Sequence, residues 1–280
     1  MRIVVTGAAG LLGQAVTAAA RGRGHPVVPL DSRALDVTDP DRCRHVLGTH
    51  RPDWIVHCAA YTAVDKAERE ACQALEVNRD GTRNVVSVAD SVGARVLFPS
   101  TDYVFDGNAR QPYRPDHSPA PLGVYGRSKL AGEAAVRASA GAHLIVRTSW
   151  LYGAGGGNFV DTIRRLARER DELEVVGDQT GRPTWVTSLA EGMFDLIHAG
   201  AAGTFHLTDE GTATWVELAR AVIEIDGLEA CIVPVTTEAW GADAPRPSYS
   251  VLDLDATTSL LGRPRPHWRS SLEAYLRERA

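Results

Sequence analysis

Arg2-Ile-Val-Val-Thr6 runs directly into Gly7-Ala-Ala-Gly10-Leu-Leu-Gly13. A run rich in β-branched residues reads as a short buried strand, and the glycines then open a helical stretch ending near Gly24. Glycine has no side chain to hold a ligand away from the backbone, so glycines at a helix start let N–H groups approach a pyrophosphate. The spacing is GxxGxxG rather than GxGxxG, and either form serves that purpose. Gly7, Gly10, Leu11, Leu12 and Gly13 are therefore candidate dinucleotide-binding residues.

The strand and helix rhythm then repeats. Apolar runs at Pro26 to Leu30, Trp54 to Ala60, Arg95 to Pro99 and His143 to Arg147 alternate with helical stretches. These stretches fall at Asp39 to His50, around Asn78 to Val92, and around Tyr125 and Lys129. The alternation predicts an α/β fold, a Rossmann-like doubly wound parallel sheet covered on both faces. Beyond Trp150 the rhythm loosens into a glycine loop (Gly153 to Gly157), a helix from Asn158 to Arg170, a turn-like Asp178 to Thr184 and late prolines. The expected division is 1–150 as an NAD(P)-binding domain, with a return segment near 185–210, and 151–280 as mainly a smaller substrate-binding lobe.

Composition excludes several classes of function. The 280 residues are 44% hydrophobic and 23% charged, as in an ordinary soluble protein. Thirty basic against 35 acidic residues give −5 with no basic tail, which speaks against nucleic acid as a partner. No apolar run approaches the roughly 18 residues of a membrane span, and glycines interrupt the N-terminal run, so a cytoplasmic protein without a membrane partner is expected. Cys43, Cys58, Cys72 and Cys231 have no metal-ligand spacing and read as reduced core thiols.

Asp31 closes the second apolar run, where a carboxylate could accept hydrogen bonds from an adenosine ribose. Arg33, next to Ser32, could instead pair with a 2′-phosphate, so NADPH and NADH both remain open as cofactor. Asp36 and Val37 could contact the adenine. Ala59, Ala60, Tyr61 and Thr62 end the third run on the nicotinamide side, where small residues permit close approach.

Twenty-eight of the thirty basic residues are arginine, yet Tyr125-Gly-Arg-Ser-Lys129 keeps a lysine four positions after a tyrosine. That spacing sets both on one helix face. A compact ammonium there would lower the phenol's pKa and could hydrogen-bond a ribose, which a forked guanidinium does less well. Thr101, after the fourth run, supplies a hydroxyl at the strand's carboxyl end. Thr101, Tyr125 and Lys129 are the candidate catalytic residues.

With GxxGxxG and this threonine, tyrosine and lysine set, the chain resembles an extended short-chain dehydrogenase/reductase. Within that superfamily it is most similar to the dTDP-4-dehydrorhamnose reductase family. The matching stretches are Arg51-Pro-Asp53, Ala59 to Glu68, Ser100 to Phe105, Val124 to Glu133, Arg147 to Tyr152 and Gly177 to Thr184, with Arg246-Pro247 near the end. The resemblance implies reduction of the 4-keto group of a nucleotide-linked 6-deoxysugar by NADPH or NADH, with a dTDP-4-keto-6-deoxysugar as substrate. It implies that Asp102 and Trp150 contact the sugar, and that Asn158, Gln179 and Arg246 serve the nucleotide end. Lys66 lies inside one matching stretch without an assigned task. Related dehydratases carry an Asp-Glu pair after the threonine, whereas Asp102 is followed here by Tyr103. Some members join as dimers through a metal held by a glutamate after the glycine motif. Gln14 and Thr187 stand at those acidic positions here, so no metal is expected and monomer or homodimer stays open. The alternatives are a reductase of a related dTDP-keto sugar, of the dihydrostreptose type, or a non-catalytic NADP-binding regulatory subunit resembling the β subunit of methionine adenosyltransferase. The intact Thr101, Tyr125 and Lys129 argue against the last.

Overall fold

A computed structural model of the chain describes residues 1–279. Strand β1 (Ile3–Thr6) leads into helix α1 (Leu11–Gly22), and β2 (Val27–Leu30), α2 (Pro40–His50) and β3 (Trp54–His57) follow. After them come α3 (Thr82–Val92), β4 (Arg95–Thr101), α4 (Val124–Arg137) and β5 (His143–Thr148). A sixth strand, β6 (Gly203–His206), arrives after α5 (Phe159–Glu169) and α6 (Val186–His198). All six pair in parallel in the order β6-β5-β4-β3-β1-β2. The chain turns back on opposite sides of β1, so the sheet has a crevice at the carboxyl ends of β1 and β3, where such sheets take ligands.

Period-two alternation explains why both faces are covered. Ile3 and Val5 point toward α1 and α6, among Val16, Leu189 and Phe194. Val4 points the other way, among Cys43, Leu47, Val85 and Val136 of α2, α3 and α4. Strands buried on both faces must be apolar almost throughout, which is what IVVT and WIVH supply.

Local sequence sets the boundaries. Asp39 is the cap of α2, its carboxylate accepting from the N–H groups of Asp41 and Arg42 at 2.9 Å, with Pro40 at the first helical position. The expected helix from Asn78 begins instead as a π-helical turn, Glu76–Gly81, before α3. That turn buries Asn78, whose amide exchanges hydrogen bonds with the Tyr61 backbone at 2.8 and 3.0 Å and donates to Ser128 Oγ at 2.8 Å. A widened turn at this point ties the loop after β3 to α4.

The second lobe gathers around α5 and α7 (Trp215–Asp226), the parallel pair Glu172–Val176 with Cys231–Val235, and the helix Trp268–Glu278. Its core includes Val160, Leu173, Val216, Leu272 and Tyr275. The segment read as turn-like holds two short strands, Thr180–Gly181 and Thr184–Trp185. The cysteines depart from the expected core placement: Cys43 is buried, but Cys72 and Cys231 are exposed because they fall on the outer faces of their elements. Among the described residues no helix is long and apolar enough to cross a membrane, and no three His, Cys, Asp or Glu side chains group to hold a metal.

Candidate active site

The crevice opens into a cavity of about 680 Å³ that runs from the glycine turn, across the carboxyl ends of β1, β3, β4 and β5, to the second lobe. At one end the turn is shaped by glycine. Gly7 sits at φ 63, where a Cβ would lie 2.6 Å from the Ala59 backbone, and a Cβ on Gly13 would lie 2.2 Å from the Gly7 carbonyl oxygen. The chain can fold this tightly only without side chains at those positions. Gly10 caps α1 without offering a side-chain acceptor, so the first N–H groups of that helix face a ligand space rather than a partner. A pyrophosphate fits such a cradle. Gln14 fastens the turn to the second lobe, its amide donating to the carbonyls of Ala9 at 2.7 Å and Gly155 at 3.0 Å.

Midway, three elements converge. Thr101 ends β4 and Tyr125 and Lys129 come from one face of α4; all three line the cavity. Burial pushes the Tyr125 phenol up to about 12, the Thr101 hydroxyl opposing the shift and the Asp102 carboxylate adding to it. This corrects the expectation that Lys129 would lower the phenol. The ammonium is engaged below, donating to the Pro99 carbonyl at 2.7 Å and lying 4.0 Å from the centre of the Phe98 ring. Burial holds Lys129 down to about 8, with the Glu133 carboxylate one helical turn further on opposing it. Tyr125 is thus a protonated donor across the neutral range, and Lys129 sits near the edge of its charged range.

Asp102 is buried beside them, accepting from Thr101 Oγ1 at 3.1 Å, while its Oδ2 has no well-formed hydrogen bond. Burial pushes this carboxyl up to about 7, against the pull of the Ser250 and Thr101 hydroxyls. A folded-state pKa above the ordinary carboxylate range means that the stability tied to the protonated group is intact at acid pH and lost as pH rises through about 7. Asp102→Asn, which cannot ionise, is therefore expected to be more stable than the parent above neutral pH by about 4 kcal/mol, with the gain fading toward acid pH and turnover reduced. Melting temperatures measured across that range check it; parallel profiles for the two proteins would refute it.

At the far end the cavity is aromatic. Trp150 takes a left-handed backbone, φ 50, unusual for a bulky residue. Its indole stacks on Trp215 with centroids 3.5 Å apart and planes 5° from parallel, and Phe159 leans on Trp215 at 4.6 Å. Sequence reading found Trp150 but missed Trp215 and Phe159, which line the cavity from α7 and α5. No local spacing connects them, because they meet only when the second lobe folds.

Of the sequence-predicted cofactor residues, Gly7, Gly10, Leu11, Leu12, Gly13, Ser32, Asp36, Val37, Ala59, Ala60 and Thr62 line the cavity with the catalytic set, Asp102 and Trp150. Six others do not line it. Asp31 Oδ1 accepts from the N–H groups of Arg33 at 3.1 Å and Ala34 at 2.9 Å in its own turn. Arg33 is exposed beyond it. The Tyr61 hydroxyl donates to Glu70 at 2.5 Å, away from the cavity. Asn158 caps α5, accepting from Asp161 N at 3.0 Å and donating to the Gly153 carbonyl at 2.9 Å. Gln179 accepts from Trp215 Nε1 at 3.0 Å and donates to Thr237 at 3.0 Å, so it acts through the tryptophan. Arg246 forks onto Asp65 at 2.9 and 2.7 Å. Conversely, Cys58, read as a core thiol, lines the cavity together with His57. Burial lowers His57 to about 3 and raises Cys58 to about 12, so neither is charged at neutral pH.

Comparison with known proteins gives a consistent result. Residues 1–280 match the family model described as RmlD substrate binding domain. A dTDP-4-dehydrorhamnose reductase of Streptomyces griseus is 43% identical, covering 97% of this chain and 91% of that protein. A dTDP-4-keto-6-deoxy-D-glucose reductase of Streptomyces niveus is 42% identical, over 97% and 95%. Among solved structures, dTDP-4-dehydrorhamnose reductase from Bacillus anthracis in complex with NADP superposes with a TM-score of 0.96 at 40% identity, covering 99% of both chains.

Proposed function

The chain belongs to the RmlD substrate binding domain family, and from that membership and the geometry of the cavity we propose that it reduces the 4-keto group of a dTDP-linked 6-deoxysugar, converting dTDP-4-dehydro-L-rhamnose to dTDP-L-rhamnose. The observation that carries the reading is the convergence of Thr101, Tyr125 and Lys129 on the cavity that begins at the glycine cradle. The cradle from Gly7 to Gly13 would hold the pyrophosphate of NADPH or NADH, and Ser32, Asp36 and Val37 lie where its adenosine end would reach. When bound, the reduced dinucleotide supplies a hydride.

The protein's own residues supply the rest. As the carbonyl carbon gains hydride its π bond breaks and charge gathers on oxygen. Tyr125 gives that oxygen its phenolic proton, which a phenol protonated across the neutral range is able to do. The Thr101 hydroxyl donates to the same oxygen, and the Lys129 ammonium, anchored on the Pro99 carbonyl, would hold the nicotinamide ribose. Asp102 and the Trp150 indole contact the sugar. Asp102 is followed by Tyr103 rather than by a glutamate, so the acid and base pair that eliminates water from related sugars is missing.

A second reading keeps the chemistry and changes the sugar. The relative named for dTDP-4-keto-6-deoxy-D-glucose is 42% identical to this chain and the one named for dehydrorhamnose 43%. Oxidation of NADPH and of NADH, followed with each of these keto sugars made in situ, decides between them. The favoured reading expects the higher kcat/KM with the rhamnose precursor; no oxidation with any keto sugar would overturn both. A cytoplasmic location is part of the proposal, supported by four free cysteines and no membrane-spanning helix among the described residues.

A further inference from the structure

The six-residue helix Val64–Arg69 carries Asp65, Lys66 and Glu68, and the reaction proposed above gives it no task. It packs at the start of α4, the helix of Tyr125 and Lys129. That start is poorly equipped by its own sequence. The cap, Gly123, has no side chain to accept a hydrogen bond from the first turn, whose N–H groups would otherwise be orphans. Glu68 supplies what is missing from 56 residues away: its Oε1 accepts from the Val124 N–H at 2.7 Å. The bond is charge-assisted and sets a carboxylate at the positive end of the helix. Gly123 makes room for it, since a Cβ there would lie 2.7 Å from the Glu68 oxygen.

The bond lands one residue before Tyr125. On another side Gly126 lies against the Tyr103 carbonyl, where a Cβ would come within 2.1 Å. The carboxylate's own helix is braced in turn by the second lobe. Asp65 accepts from the Ala244 N–H at 3.1 Å and from both arms of Arg246, and Arg69 pairs with Asp243. Glu68 is thus half-buried and held between a lobe segment and the first turn of the catalytic helix.

We infer that Glu68 is a positioning residue that fixes the Tyr125 phenol relative to Thr101 by capping α4 from outside its own sequence. The inference rests on the reading of Tyr125 as proton donor. It assigns the acidic end of the Ala59 to Glu68 stretch a role in turnover rather than in binding, because its hydrogen bond acts on the helix and not on the ligand space.

The test is a cycle of Glu68→Ala, Glu68→Gln and Tyr125→Phe, alone and combined, measuring kcat, KM for the keto sugar, dinucleotide Kd and melting temperature. Glu68→Ala should lower kcat by about tenfold or more with KM and Kd unchanged. Glu68→Gln, which keeps an acceptor oxygen, should restore most of the loss. In the Tyr125→Phe background Glu68→Ala should cost no further turnover, because a group acting through Tyr125 is not additive with its removal. If the alanine variant does not fold, Glu68→Asp carries the same test, keeping the charge and withdrawing the oxygen by one methylene. A folded Glu68→Ala with kcat within about twofold of the parent, or an equal loss in both backgrounds, overturns the positioning role. Parental turnover of Tyr125→Phe itself would instead sink the proton-donor reading, and positioning with it.

Discussion

Tyr125→Phe lowers turnover by about 10²–10⁴-fold while leaving dinucleotide affinity at the parental value. The ring that lines the cavity is retained, so packing against Tyr103, whose ring centre lies 5.9 Å away, is kept and only the proton is lost. Hydride addition would then leave an alkoxide without the phenol's proton, since Thr101 is too weak an acid to replace it. The pH profile of the parent carries a second signature. Tyr125 stays protonated to about 12, so the alkaline limb belongs to the groups that titrate lower, Asp102 at about 7 and Lys129, whose ammonium loses its proton as pH rises through about 8. Activity should fall through that range because Lys129 then loses the ammonium that would hold the nicotinamide ribose. Steady-state kinetics with dinucleotide titrations check both statements. Near-normal turnover in the phenylalanine variant would sink the assignment of the donor.

Features set by local spacing were the legible ones. Three glycines at fixed intervals, or a tyrosine and lysine four apart, are placed by the geometry of one turn or one helix, and the fold leaves them little freedom. The parallel sheet was legible for the same reason, through alternation of buried runs. Legibility ended wherever a side chain had a choice of partner. Asp31 follows the second strand as a ribose-binding carboxylate would, and two N–H groups of its own turn bind one of its oxygens. Asn158 and Gln179 are polar residues in promising loops, but each is consumed by a structural bond, as a helix cap and as the support of Trp215. Arg246 has the shape for a diphosphate and is held by Asp65 from across the chain. Trp215 is the converse case: its sequence neighbours announce only the start of a capped helix, and its role as partner of Trp150 arises from the docking of the second lobe.

Arg147→Met should destabilise the fold by about 3–5 kcal/mol, the largest loss expected from one substitution away from the ligand space. Arg147 and Glu133 are 1% and 0% exposed, joined by a fork of two 2.8 Å bonds, with Ser100 Oγ donating to the same carboxylate at 2.6 Å. Burial alone would push Glu133 up; the Arg147 guanidinium and the Ser100 hydroxyl hold it below its ordinary range instead. The stability linked to this group is accordingly present above the ordinary carboxylate range and lost as pH falls through its depressed value. Removing Arg147 strands a buried charge whose direct partners are then Ser100 and the half-exposed Arg137. Glu133→Leu with Arg147→Met removes both charges and should recover most of the stability, since a buried pair is worth little against apolar packing of similar volume. The double variant nonetheless should not behave as the parent. Glu133 stands four residues after Lys129 on the same helix and its charge raises the Lys129 pKa, so its loss lets burial lower that ammonium further. The alkaline limb of activity must then move to lower pH in a protein of near-parental stability. Chemical denaturation and the pH profile, read together, separate the two effects. An unshifted limb in the double variant would mean that the pair serves the fold alone.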